Sequence, residues 1–147
     1  MNSIVDIERL FVHEVNPGIY LLKSSDLVAK ISSLSAIYNF RFFYIDGEDI
    51  QDKETFLKKA GEIMGFPDYY GRNWDAFEEC IKDLGWYPAE SYLILYDHFD
   101  VFATYSPREF KVALTIFGSA IKYWEETNRI TFYVLLKGNE NVAPNLG

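Results

Sequence analysis

The chain has 147 residues, of which 49% are hydrophobic and 18% aromatic, and a formal net charge of -8. That length and apolar content fit one domain with a real core and argue against wholesale disorder. The N-terminus has neither a basic n-region nor a long apolar h-region, no run approaches the roughly 18 apolar residues of a membrane helix, and one cysteine, Cys80, leaves no internal disulfide; a soluble protein of a reducing cytoplasm is expected.

Asn16-Pro17-Gly18 is a turn signal, and Ile19 to Lys23 then reads as a short strand. Ser24, Ser25 and Asp26 offer N-caps for a helix in which Leu27, Val28, Ile31, Leu34 and Ile37 recur near helical spacing. Phe40 to Ile45 is an aromatic strand closed by the turn Asp46-Gly47. A helix starting at Asp52 or Lys53 has Phe56, Leu57, Ala60, Ile63 and Met64 on its apolar side and stops at Gly65 and Pro67. Asn73 is the N-cap of the next helix, where Trp74, Phe77, Ile81 and Leu84 fall at i, i+3, i+7 and i+10 as one buried stripe. Tyr92 to Tyr96 is continuously apolar, as a strand buried on both faces requires. Ser106-Pro107 has a cap followed by proline at the first helical position; it opens a long helix to about Asn128, and Ile130 to Leu136 is the last strand. Strands alternating with helices predict an α/β fold with a small, largely parallel sheet.

The charge is unevenly spread. Residues 1–45 hold four acids and four bases, residues 46–100 fourteen acids and five bases, and residues 101–147 four acids and five bases. The whole imbalance therefore lies in the middle third. Such a patch repels phosphate backbones and anionic surfaces and steers basic partners in, so neither nucleic acid nor membrane is expected as a partner. The plainer reading of an acidic excess is a solvated, solubilising face.

The helix after Asn73 gives that excess a shape. Asp75, Glu79 and Asp83 fall at i, i+4 and i+8, opposite the apolar stripe, with Glu78 on their shoulder. Like charges at this spacing cost a helix about 0.2–0.5 kcal/mol per pair, which hints at selection for a partner. Tyr69, Tyr70 and Gly71 precede the helix. Gly71 suits a backbone angle that other residues resist. One tyrosine is expected to contact a partner and the other, Tyr70, to pack under the loop as core. Cys80 should face the core as an inert thiol. His13 and His98 lack metal-ligand spacing, and no metal, cofactor or catalytic residue is expected. Asp97, His98 and Asp100 follow a strand, where α/β active sites often lie, but no nucleophile motif or phosphate loop accompanies them.

The stretch from Pro67 through Asp68, Tyr69, Tyr70, Gly71, Asn73, Asp75, Ala76, Phe77, Glu79 and Cys80 to Ile81 strongly resembles the barstar family of intracellular ribonuclease inhibitors. Ile45-Asp46-Gly47-Glu48 and Tyr87-Pro88 extend the resemblance, which covers about residues 42–137. It implies a barstar-like domain over residues 42–147, with residues 1–41 as an N-terminal strand-helix extension that enlarges the sheet and protects an edge, or, in the alternative reading, forms a second contact surface or a dimer interface. It also implies a cytoplasmic inhibitor, or immunity protein, that plugs the active site of a basic extracellular-type ribonuclease or related nuclease toxin. The residues implied to bind that partner are Tyr69, Gly71, Asn73, Asp75, Ala76, Glu78, Glu79 and Asp83. Tyr69 would cover the active-site histidine, Asn73 and Asp75 would make polar and charged contacts, and Glu79 would stand in for an RNA phosphate.

The chain departs from the best-known pattern at several places. Glu79 replaces aspartate, Glu78 replaces an aromatic, Ser119 replaces a partner-contacting glutamate, and Arg72 adds a positive charge to the loop. The competing reading is a module of the same fold that binds a non-nuclease protein. A small hydrolase using Asp97, His98 and Asp100 comes last.

Overall fold

The computed structural model describes residues 4–67, 70–139 and 141–142. In chain order the elements are α1 (Ile7–Phe11), β1 (Ile19–Leu21), α2 (Val28–Ile37), β2 (Arg41–Asp46), α3 (Lys53–Met64), α4 (Trp74–Ile81), β3 (Ser91–Asp97), α5 (Phe99–Tyr105), α6 (Pro107–Asn128) and β4 (Thr131–Lys137). The fold is α/β, with a four-stranded sheet of order β1-β4-β3-β2 in which every pairing is parallel.

Every residue of β3 is buried, which explains its unbroken apolar run. Period-2 alternation sends Tyr92, Ile94 and Tyr96 into the core shared with α3 to α6, and Leu93 and Leu95 into the core under α1 and α2. The sheet thus divides the molecule into two layers. Phe56 of α3 sits at the centre of the larger one. Its ring packs against Trp74, Phe77, Tyr96, Phe102 and Phe117 with centroids 5.3–6.2 Å away, a range in which aromatic pairs attract beyond their buried area.

β1 adds a strand beside β4, pairing Ile19 with Val134 and Leu21 with Leu136. Its outer side meets Ile4, and Val5 N donates to Leu21 O at 2.9 Å. Two short helices, α1 and α5, have no counterpart in the sequence reading. α1 is only five residues long, and Asp6 Oδ1 caps it by accepting from Glu8 N and Arg9 N. A periodic signal needs more turns than that.

Three caps differ from expectation. α2 starts from Leu27, and none of Ser24, Ser25 or Asp26 caps it; Asp26 instead lies 3.7 Å from Lys30. Ser106 precedes α6, but its hydroxyl donates to Gln51 O at 2.7 Å and so ties α6 to the start of α3. α4 ends at Ile81 with Lys82 as its C-cap, short of Leu84. Leu84 takes a left-handed conformation (φ 48°) and still reaches the core.

Removing the Phe56 ring would open a cavity among five aromatic neighbours. Phe56→Ala is expected to lower folding stability by about 3–5 kcal/mol, read from urea unfolding midpoints.

Candidate functional site

Asn73 Oδ1 accepts from Ala76 N at 2.8 Å, which makes Asn73 the N-cap of α4 as the sequence predicts. The buried side of the helix is fixed at three levels. Trp74 Nε1 donates to Glu109 Oε2 of α6 at 2.7 Å. Phe77 and Ile81 are fully buried. Trp124 Nε1 of α6 donates to Ile81 O at 2.9 Å, satisfying one of the carbonyls a helix end leaves unpaired.

The loop before α4 is anchored by Tyr70. Its ring lies on Gly61, where an added Cβ would come within 2.7 Å of Tyr70 Cε2, and its hydroxyl donates to Leu57 O at 3.2 Å. Burial pushes this phenol well above the usual tyrosine range. Tyr70 is half-buried and packs against the larger core. Tyr69 and Asp68 lie outside the described residues. Among the described residues of the loop the left-handed one is Arg72 (φ 51°), not Gly71. Gly71 is confined for another reason: a Cβ there would come 3.1 Å from Asn73 Nδ2, crowding the cap.

The acidic face is narrower than its spacing suggests. Asp75 and Glu79 are exposed, one turn apart on α4, and among the described residues neither has an ion-pair partner within 4.0 Å. Asp75 lies in the first turn, where the helix dipole favours it. Asp83 lies beyond the C-cap, and its Oδ1 accepts from Gly85 N at 3.1 Å. The helix simply stops before the third position of the stripe. Ala76 is half-buried on α4 and its N–H is held by the cap.

Glu78 is engaged inside the protein. Its Oε2 accepts from Lys82 Nζ at 2.7 Å and from Ser119 Oγ of α6 at 3.0 Å. The Lys82 bond, helped by Ser119, holds its carboxyl below the usual carboxylate range. Two positions at which the chain departs from the barstar pattern, 78 and 119, therefore touch each other. Beside them, Glu79 and Asp83 border a shallow groove floored by Tyr123 and Trp124. The Glu78–Lys82 spacing of i, i+4 is legible in sequence. The roles of Glu109, Ser119 and Tyr123 are not, because α6 meets α4 only after folding.

A second polar cluster stands at the C-terminal ends of β2 and β3. Tyr44 OH donates to Asp97 Oδ2 at 2.8 Å, His98 N donates to Asp97 Oδ1 at 2.9 Å, and His98 Nδ1 lies 3.1 Å from Asp46 Oδ1. Burial, and then the bond to Asp97, pushes the Tyr44 phenol far above its usual range, which makes it a poor nucleophile at neutral pH. Asp97 is buried and used twice. The cluster reads as a tie between strand ends.

An acidic helix held from behind on a four-stranded parallel sheet places the chain in the α/β class. Residues 40–137 match the family described as Barstar (barnase inhibitor), and the chain belongs to that family. It is also 38% identical over 55 residues to the Bacillus subtilis (strain 168) protein named "Putative ribonuclease inhibitor YrdF"; the match spans 37% of this chain and 58% of that protein. No helix among the described residues is long and apolar enough to cross a membrane.

Two outcomes are expected from this geometry. Asn73→Ala should cost about 1 kcal/mol of folding stability through the lost cap, and Asn73→Asp should retain most of it, measured by urea unfolding. Cys80 is 5% exposed, and burial, with Glu79 and Asp83 nearby, pushes its thiol up. Its reaction with a disulfide reagent at mildly alkaline pH should be slow in the native protein and fast in denaturant.

Proposed function

We propose that this protein is a cytoplasmic inhibitor, of the immunity type, that blocks the active site of a basic ribonuclease. Residues 42–147 would carry the inhibitor, with residues 1–41 packed on it as an extension. The observation that carries this reading is the pair Asp75 and Glu79, exposed and, among the described residues, without a cation within 4.0 Å, on a helix whose other side is locked into the core. Carboxylates presented on a rigid support repel one another until a positive surface neutralises them. Membership of a family described by barnase inhibition and a relative named as a ribonuclease inhibitor supply the partner class.

In this mechanism Glu79 enters the nuclease site where an RNA phosphate would lie and meets its arginine, lysine or histidine side chains. Asp75 supplies a second charge one turn earlier. Tyr69, Gly71, Asn73 and Ala76 would meet the partner near the helix start, and Asp83 near its end. Long-range attraction between the acidic middle third and a basic enzyme would speed encounter and weaken with salt.

Glu78 favours a second reading, a non-nuclease partner. Its carboxylate is already used by Lys82 and Ser119, so a contact set centred on it would have to break those bonds.

Calorimetric titration with a barnase-type ribonuclease at low and moderate salt separates the two. The inhibitor reading expects nanomolar, salt-sensitive, equimolar binding. Glu79→Ala should lose about 2–5 kcal/mol, a range borrowed from barnase–barstar-like interfaces and general for a buried charge pair losing one partner. Unchanged affinity in Glu79→Ala would remove the phosphate-mimic mechanism. No binding at micromolar concentrations would favour the second reading.

A further inference from the structure

Lys82 is the C-cap of α4 and stands within reach of two carboxylates. Glu78 lies four residues before it and Glu79 three. Both spacings bring side chains together on a helix surface, and ion pairs at either are of similar worth. Lys82 keeps right-handed helical geometry (φ -88°, ψ -3°), so the spacing rule still applies at this position.

The structure gives Lys82 wholly to one of the two acids. Its Nζ donates to Glu78 Oε2 at 2.7 Å, whereas among the described residues Glu79 has no cation within 4.0 Å. Helix spacing alone favours neither acid strongly; α6 decides between them. Ser119 Oγ donates to the same Glu78 Oε2 at 3.0 Å and fixes the acceptor in place. One turn further along α6, the ring of Tyr123 lies 5.6 Å from Lys82 Nζ, within the range at which an aromatic face attracts an ammonium. Tyr123 is itself set edge-on against Trp124, whose indole holds Ile81 O. Three groups thus hold the lysine head, and the exposed Glu79 is left without it.

The consequence is electrostatic. A lysine paired with Glu79 would occupy the carboxylate that a basic partner needs. An unpaired Lys82 beside Glu79 would repel the partner's own cation. Paired with Glu78, the lysine does neither, because the two charges cancel.

We propose that Glu78 is a positioning residue: with Ser119 and Tyr123 it keeps Lys82 off Glu79 and so leaves Glu79 open to a partner. Glu78 then serves the interface through its internal bonds and not by direct contact. Positions 78 and 119, which depart from the barstar pattern and touch each other, act as one device. Its use in binding rests on the inhibitor reading, but the choice Lys82 makes between two acids is a property of the free chain.

Two measurements test the proposal, and the first needs no partner. In the free wild-type chain, proton NOEs should run from the Lys82 ε-methylene to the Glu78 γ-methylene and not to that of Glu79. In Glu78→Ala they should appear at Glu79, and in Ser119→Ala at both acids. The second is calorimetric titration with a barnase-type ribonuclease. Glu78→Ala should weaken binding by a factor of about 2–5, the scale of one partly exposed ion pair. Lys82→Met alone should not weaken it, and Lys82→Met added to Glu78→Ala should restore wild-type affinity. Lys82 NOEs to Glu79 in the wild type, or none to Glu79 in Glu78→Ala, would overturn the proposal whatever the nuclease does. So would a double variant that stays as weak as Glu78→Ala, since Glu78 would then be touching the partner directly. A wild type that does not bind the nuclease at micromolar concentrations would count against the inhibitor reading, while the NOEs still decide this one.

Discussion

An eight-residue helix does not stand by itself in water. Everything this protein presents through α4 therefore depends on the grip behind it. Phe77 and Ile81 supply buried area. The two indoles, Trp74 on Glu109 and Trp124 on Ile81, tie both ends of α4 to α6. The 22 residues of α6 have a long apolar side resting on β4, so α4 inherits its position from the sheet through α6. Tyr70 does the same for the preceding loop through Leu57 and Gly61.

That support sets the electrostatics. Asp75 and Glu79 raise the energy of the free helix, and the core contacts offset it. Their mutual repulsion is then available as a preference for any cation that comes between them. Glu78 is spared that role by a lysine of its own helix and a hydroxyl of the next. The carboxylates along one short segment are thus sorted by what lies within reach of each, a matter decided by α6 and not by α4.

Legibility in the sequence followed the range of the interactions. Strands buried on both faces, the helix start at Asp52 or Lys53, the Asn73 cap and the Gly65 stop rest on a few neighbouring residues, and they read out directly. The barstar pattern between Pro67 and Ile81 pointed to the family and to α4. Other features were hidden. The end of α4 at Ile81, and with it the place of Asp83, depends on Trp124 and a left-handed Leu84. Ser106 looked like a cap and serves Gln51. Gly71 looked like the residue for an unusual angle, but Arg72 takes it while Gly71 makes room for the cap amide. For the α4 end and for Ser106 a contact made at long sequence distance overrode a local preference; at Gly71 the constraint is local but sterically invisible in the residue pattern.

The alternation along β3 has a consequence for how such a protein can change over generations. Tyr92, Ile94 and Tyr96 belong to one layer, Leu93 and Leu95 to the other, and no side chain of the strand serves both. Heritable variation can then remodel one layer while the other drifts or is selected on its own account. A lineage can repack the core behind α4 without repacking the core under α1 and α2, because the two are written on alternate residues of the same strand.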